Sequence, residues 1–138
     1  MVAIGIRGMF YALEPCNQLI QLHPPKPYAS AWMKAWDEAA IKQGLHPWIG
    51  TAMASELIHA GFNNVACRFV PVTALGIHHR EYLDVIENMK GFFMGPAAAV
   101  FDLEKYHHLS RDKAVAELDN VTPGSLVMDA VFAAWGSA

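Results

Sequence analysis

Three stretches of the chain carry the runs of apolar residues that are typical of β-strands. Residues 1–13 form the first, either as one strand or as a glycine-containing loop followed by a strand from Met9 to Leu13. Residues 65–72 form the second, in which Pro71 indicates a strand end or an edge position. Residues 126–135 form a long final strand. The pattern therefore predicts about three strands.

Between these stretches, apolar residues recur at the three- and four-residue spacing of amphipathic helices. Residues 30–43 predict the first helix, because Trp32 and Trp36 lie one turn apart and Gly44 suits a helix end. Further helical segments are predicted at residues 51–60, 79–90, 102–108 and 110–118. The order of these elements indicates an α/β fold of four to five helices in a single domain, residues 1–138, with too few strands for a full doubly wound sheet.

The composition is apolar for a small domain. Hydrophobic residues make up 54% of the chain and charged residues 17%, so we expect a partner or a second copy to cover some of the apolar surface. The net charge of −3 and the lack of basic clusters argue against nucleic acid. Cys16 and Cys67 suit neither a disulfide framework nor a zinc site. Without a signal-peptide pattern or an apolar run of membrane-spanning length, no membrane association and a cytoplasmic location are expected.

Several segments resemble the C-terminal half of a class I S-adenosylmethionine-dependent methyltransferase. The most specific is the run from Leu57 to Val65, in which Ala60-Gly61-Phe62 is similar to the turn that leads into an outward-running strand of that family. Residues 4–15 resemble an earlier strand and its turn, although the proline of that turn is missing. Residues 126–135 resemble the last strand of the family, which lies antiparallel between its neighbours.

The resemblance implies a truncated domain, because the cofactor-binding half of the family has no counterpart here. The chain has no G-x-G-x-x-G fingerprint, so we expect no cofactor. The missing half would leave the strand edge from Met9 to Leu13 with unpaired backbone groups. We therefore expect this edge to pair in a homodimer, or with a partner chain, and so to complete the sheet.

Two groups of polar residues are candidate catalytic residues. Glu14, Cys16 and Asn17 follow the first strand, where ligands of α/β sheets bind; Glu14 is the proton-transfer candidate, and the other two are substrate contacts. His78 and Tyr82 lie one turn apart at the start of the third helix, where the helix N-terminus favours a neutral histidine base. The structural alternatives are turn-capping side chains and a partly exposed capping pair. Metal binding is not expected, because no metal-ligand motif accompanies the histidines.

An aromatic wall around an apolar ligand is the candidate substrate-binding site. It combines aromatic residues of the first helix with those of a glycine-bounded loop at residues 91–96, which we expect to act as a lid, and with a histidine before the proline-rich segment. These substrate-binding candidates are Trp32, Trp36, Phe92, Phe93 and His23. The structural alternative for the aromatic residues is an ordinary core. The doublet His107-His108 is interpreted as solvated surface.

Two classes of function are compatible with these patterns. The first is a repurposed methyltransferase-like enzyme without cofactor, which performs isomerase- or cyclase-type acid–base chemistry on an apolar biosynthetic intermediate. The alternative is a non-catalytic or complementing subunit of a split S-adenosylmethionine-dependent methyltransferase. A small-molecule carrier is a third possibility that the sequence does not separate from the enzyme.

Overall fold

The computed structural model describes residues 2–6 and 8–138 and has an α/β fold with five α-helices. The chain divides into two compact units. The first, which we call the sheet unit, comprises Met1–Ile20, Pro47–Val72 and Asp129–Ala138. The second, the helical unit, comprises Gln21–His46 and Thr73–Met128.

A β-hairpin begins the sheet unit. Strand β1 (Val2–Ile6) pairs antiparallel with β2 (Met9–Pro15), and Gly8 between them takes the left-handed conformation at φ 78° that suits a tight turn. On its other side, β2 pairs antiparallel with the last strand, β5 (Leu126–Ser137), from Met9 opposite Ser137 to Pro15 opposite Val131.

The expected free edge from Met9 to Leu13 is therefore wrong. Both sides of β2 are paired within the chain. The physical reason is the turn at Gly8, which folds the first residues back as a separate strand and supplies the partner that a single strand would lack. Because this edge is already paired, it does not support a homodimer. The homodimer itself stays a prediction.

Strand β4 (Asn63–Leu75) is exposed at most of its positions. It pairs with β5, and among the described residues no other strand pairs with it. The amide of Asn64 donates to the hydroxyl of Ser137 at 3.2 Å, and the rings of Phe69 and Phe132 lie 5.6 Å apart. In these two contacts the residue number increases along β4, from 64 to 69, while it decreases along β5, from 137 to 132. The two strands therefore run antiparallel, as predicted for the last two strands.

Helix α2 (Ile49–His59) packs on β2 and encloses the core of the sheet unit. Gly50 permits this close packing, because a Cβ at that position would lie 3.1 Å from the carbonyl oxygen of Glu14. The buried centre consists of Ala12, Met53, Leu57 and Ala134, surrounded by Phe10, Ile49, Phe62, Val65 and Phe132. Small residues on the strands and long ones on the helix fill the layer between them.

The helical unit is built around α1 (Pro27–Lys42), which begins with a proline at a position where the missing N–H is not needed. Around it lie four elements that contact it: α3 (His79–Met94), a 3-10 helix (Pro96–Phe101), α4 (Leu103–His107) and α5 (Arg111–Asp119). The short strand β3 (Gln21–His23) pairs antiparallel with the beginning of β5.

Helices α1 and α5 cap each other. The ammonium of Lys26, 4% exposed, donates to the carbonyl oxygens of Glu117 and of Asn120, the latter at 2.9 Å. In return, the carboxylate of Glu117 accepts from the backbone N–H of Ala29 at 2.9 Å. Burial lowers the pKa of Lys26, and the charge of Glu117 opposes this in part. The pair satisfies backbone groups at one end of each helix that the helices themselves leave open.

Most predicted helices are observed within a few residues of their expected ends, but the strands and the lid differ. Residues 2–6 and 8–138 contain five strands rather than about three, since β1 and β3 are not predicted as separate strands. Helix α3 continues to Met94, so Phe92 and Phe93 lie in its last turn and the expected lid loop is wrong. Among the described residues, no helix combines the length and the apolar character that crossing a membrane requires.

Candidate functional site

The predicted site residues are divided between the two units. Glu14, Cys16 and Asn17 belong to the sheet unit, at the end of β2 and the beginning of the 3-10 helix Asn17–Leu19. All three are buried, with Glu14 8% exposed, and the backbone N–H of Cys16 continues the sheet by donating to the carbonyl of Ala130 at 3.0 Å. Side chains this well covered offer a substrate little access from solvent.

His78 and Tyr82 lie at the beginning of α3 in the helical unit, but their surroundings differ. His78 is the exposed N-cap residue, and its carbonyl accepts from the N–H of Tyr82 at 3.0 Å. Tyr82 is fully buried. Burial raises the pKa of Tyr82, and its interaction with the Ser125 hydroxyl lowers that pKa by less. A buried phenol that holds its proton more firmly is suited to packing rather than to proton transfer at neutral pH.

The predicted aromatic wall is one cluster of the helical unit. The ring of Trp36 lies 4.7 Å from that of Phe92 and 5.4 Å from that of Phe93, and the indole N–H of Trp32 donates to the carbonyl of Phe93 at 2.8 Å. Phe93 is buried, whereas Phe92 is about half exposed. His23 is exposed on β3. The cluster joins α1 to the end of α3. This is the structural role of an ordinary core, the alternative to a substrate-binding wall.

The aromatic cluster continues into an open groove. The ring of Trp36 meets that of Phe101 edge-to-face at 5.4 Å, and Phe101 is part of the groove lining. The groove has a volume of about 510 Å³. It lies where the end of α1, the 3-10 helix Pro96–Phe101 and α4 come together. We call it the α1–α4 groove. Its lining residues are Ala39, Lys42, Gln43, Val100, Phe101, Tyr106 and His107.

Local backbone geometry presents these residues together. Helix α1 ends at Lys42, with Gln43 as its C-cap residue, so their polar side chains project from the last turn. Asp102 takes the left-handed conformation at φ 45°, where the 3-10 helix stops and α4 begins. This turn sets Tyr106 and His107 on a helix of their own across from α1. The result is a lining that combines polar and apolar side chains.

A second, smaller cavity lies beside Trp32 and has a volume of about 150 Å³. Two of its polar residues, Arg111 and Glu104, are engaged in hydrogen bonds. The guanidinium of Arg111 donates from Nε and Nη2 to the carbonyl of Met94 at 3.1 and 3.0 Å, and the N–H of Arg111 donates to the carboxylate of Glu104 at 3.1 Å. The volume is below that of typical ligand sites. We interpret this cavity as part of the joint between α3 and α5.

The groove residues Lys42, Gln43, Tyr106 and His107 were not among the sequence-based site candidates. The one signal was the histidine doublet, which was interpreted as solvated, yet His107 is half-buried in the groove lining. In the part of the chain that the structure describes, no three His, Cys, Asp or Glu residues come together as a metal site.

Two comparisons, with family models and with curated proteins, found no match. The resemblance to the C-terminal half of a class I methyltransferase therefore stays a prediction, and the function has to be argued from the geometry.

Proposed function

We propose that this chain binds a small molecule in the α1–α4 groove. The observation that supports this proposal is the combination of size and lining: a volume of about 510 Å³, within the range of small-molecule sites, and a lining that mixes polar and apolar side chains. The predicted ligand is an apolar small molecule, and the mixed lining of the groove favours a small molecule that also carries a polar group. The groove adjoins the predicted aromatic wall in the helical unit, whereas the catalytic candidate Glu14 lies in the sheet unit.

Binding, rather than catalysis, is the activity that the lining supports best. A cofactor-independent acid–base reaction needs a group that exchanges protons near neutral pH, and histidine is the usual one. His107 is the lining residue of that type. Glu14 and Tyr82 are buried elsewhere, so a proton-transfer step in the groove would depend on His107.

The experiment compares a variant that fills the groove with one that changes the surface elsewhere. Val100 lies in the lining and is 75% exposed, so Val100→Trp fills space without disturbing the core. Ile77→Trp makes the same change at another exposed position outside the lining. The probe is 1-naphthalenemethanol, a neutral aromatic molecule, followed by ligand-observed NMR. We expect saturable binding to the wild type and to Ile77→Trp, and about tenfold weaker binding to Val100→Trp.

Two results would overturn the proposal. One is the absence of saturable binding by the wild-type chain at millimolar probe. The other is equal binding by Val100→Trp and the wild type, which would place the probe elsewhere on the molecule.

A second candidate function is self-association, and the observation that favours it is the exposure of β4. Phe69 is 54% and Val70 43% exposed on a strand that, among the described residues, pairs on one side only. We propose that the free side of β4 pairs with β4 of a second copy of this chain, because the strand can pair with its own sequence in antiparallel orientation. A two-fold axis at Phe69 would set Phe69 opposite its counterpart and extend the contact with Phe132 into an aromatic row.

The charges of β4 agree with this pairing. Residues 63–75 contain one cation, Arg68, and no carboxylate. In the register centred on Phe69, Arg68 would face Val70 of the second copy, so no like charges would lie directly opposite each other. Pro71 would face Cys67, and the missing N–H of proline would cost one hydrogen bond at each of its two positions.

A further inference from the structure

We propose that the ligand of the α1–α4 groove is an organic anion with a flat apolar body, and that Lys42 binds its charged group. This inference rests on the proposed binding function and names the chemical class of the ligand. Its basis is the distribution of charge around the groove.

The groove lining is positive in a chain whose net charge is negative. Among the described residues that line it, Lys42 carries a formal positive charge and none is an Asp or Glu, whereas the whole chain has a net charge of −3. A cationic ligand would find no carboxylate in this lining. An anionic ligand would find an ammonium group with three N–H donors.

Lys42, like the exposed Lys34, is not engaged by other groups in the way that Lys90 and Lys26 of the helical unit are. Lys90 pairs with Glu87 at 2.5 Å and with Asp119 at 2.7 Å, and Lys26 is held by backbone carbonyls. For Lys42, no ion pair or hydrogen bond is found within the described part of the chain. Its ammonium group can therefore bind a ligand without breaking an existing interaction.

The neighbouring groups suit the two ends of such a ligand. Next to Lys42, Gln43 offers amide N–H donors that can bind the second oxygen of a carboxylate. Elsewhere in the same lining, Phe101 and Val100 offer apolar surface, and Tyr106 adds a second aromatic ring, 68% exposed. An aromatic carboxylate matches this division between one polar end and one flat apolar face.

The test compares two probes that share a ring system and differ in charge: 1-naphthoate, an anion, and 1-naphthalenemethanol, which is neutral. Each is titrated by calorimetry at low ionic strength into the wild type, Lys42→Met and Lys34→Met. Methionine keeps the length and helix propensity of lysine, and Lys34 is an exposed α1 lysine outside the lining. We expect the wild type and Lys34→Met to prefer naphthoate by about fivefold, as for an exposed ion pair. Lys42→Met should bind both probes equally.

The outcomes separate this inference from the proposed function. If the wild type binds both probes equally well, the preference for anions is wrong while small-molecule binding stands. If naphthoate is preferred and Lys42→Met keeps the preference, the role of Lys42 is wrong. If neither probe binds, the groove is not a ligand site and both proposals fail. A preference that shrinks in 0.5 M salt supports the ion pair, because salt screens exposed charges.

Discussion

At the scale of single residues, Asp129 is a half-buried carboxylate in the sheet unit. Its carboxylate accepts from the backbone N–H of Ala130 at 2.6 Å, which lowers its pKa, but burial has the larger effect and raises the pKa above 3.8. The folded state thus retains a proton that the unfolded state releases. The stability that this proton contributes is present below pH 3.8 and is lost as the pH rises through the higher pKa of the folded state.

We therefore expect Asp129→Asn to stabilise the protein at pH 7, because asparagine keeps an acceptor oxygen and removes the buried charge. Thermal unfolding at pH 7 and pH 3 checks this: the melting temperature of the variant should exceed that of the wild type at pH 7, and the difference should shrink at pH 3. Asp84→Asn, on the exposed side of α3, is the control. A variant that is less stable at pH 7 would contradict the expectation.

Gly76 shows how a close backbone approach constrains one residue. A Cβ there would lie 1.9 Å from the carbonyl oxygen of Thr122, and the N–H of Gly76 donates to the carbonyl of Ser125 at 2.6 Å. We expect Gly76→Ala to lower the free energy of unfolding by about 2 kcal/mol or more, as overpacking does. Gly124→Ala is the matched control, since its Cβ would meet nothing within 4 Å. Urea denaturation measures both, and equal stability of the two variants would refute this account.

At the scale of elements, the mutual capping of α1 and α5 should increase the free energy of unfolding. Lys26→Met would leave the carbonyls of Glu117 and Asn120 without their donor, at a cost of about 1–3 kcal/mol. Glu117→Gln keeps an acceptor oxygen for the N–H of Ala29 and should cost less. Lys34→Met on the exposed face of α1 should change stability by less than about 0.5 kcal/mol. If urea unfolding gives Lys26→Met and Lys34→Met the same free energy of unfolding, the capping contacts contribute nothing to stability.

The elements also show which local predictions hold. Helices α1, α2 and α5 lie close to their predicted ranges, because the three- and four-residue spacing of apolar positions is a local property of the sequence. The end of α3 differs from the predicted range 79–90, because the helix includes Gly91 and continues to Met94, before Gly95. Contacts of Phe93 with Trp32 and Trp36 stabilise the last turn, and such contacts are not visible in a local pattern.

At the scale of the whole molecule, the proposed pairing of two β4 strands makes a prediction that depends on register. Val70 would face Arg68 of the second copy, so Val70→Lys should weaken the dimer by placing like charges opposite each other, and Val70→Glu should strengthen it. Sedimentation at tens of micromolar protein measures the dimer fraction. Both variants should keep the wild-type circular dichroism spectrum, because Val70 is exposed.

Two outcomes would exclude this dimer. One is a wild-type chain that is monomeric at every concentration tested, which would mean that Arg68 and Pro71 protect the edge as charges and prolines do in other sheets. The other is an equal effect of lysine and glutamate at position 70, which would exclude the register centred on Phe69.

The α/β class, most helix ranges and the apolar strands β4 and β5 are predictable from the chain alone, because these features follow from local periodicity and composition. The sequence also identified the aromatic residues that pack together in the helical unit. It did not identify the partners of β2, the burial of Glu14 or the groove lining. Strand pairing joins residues as far apart as Met9 and Ser137, and the groove joins Lys42 to His107. Only the tertiary structure decides such contacts, since they depend on how distant segments fold back on one another rather than on the neighbours of each residue in the chain.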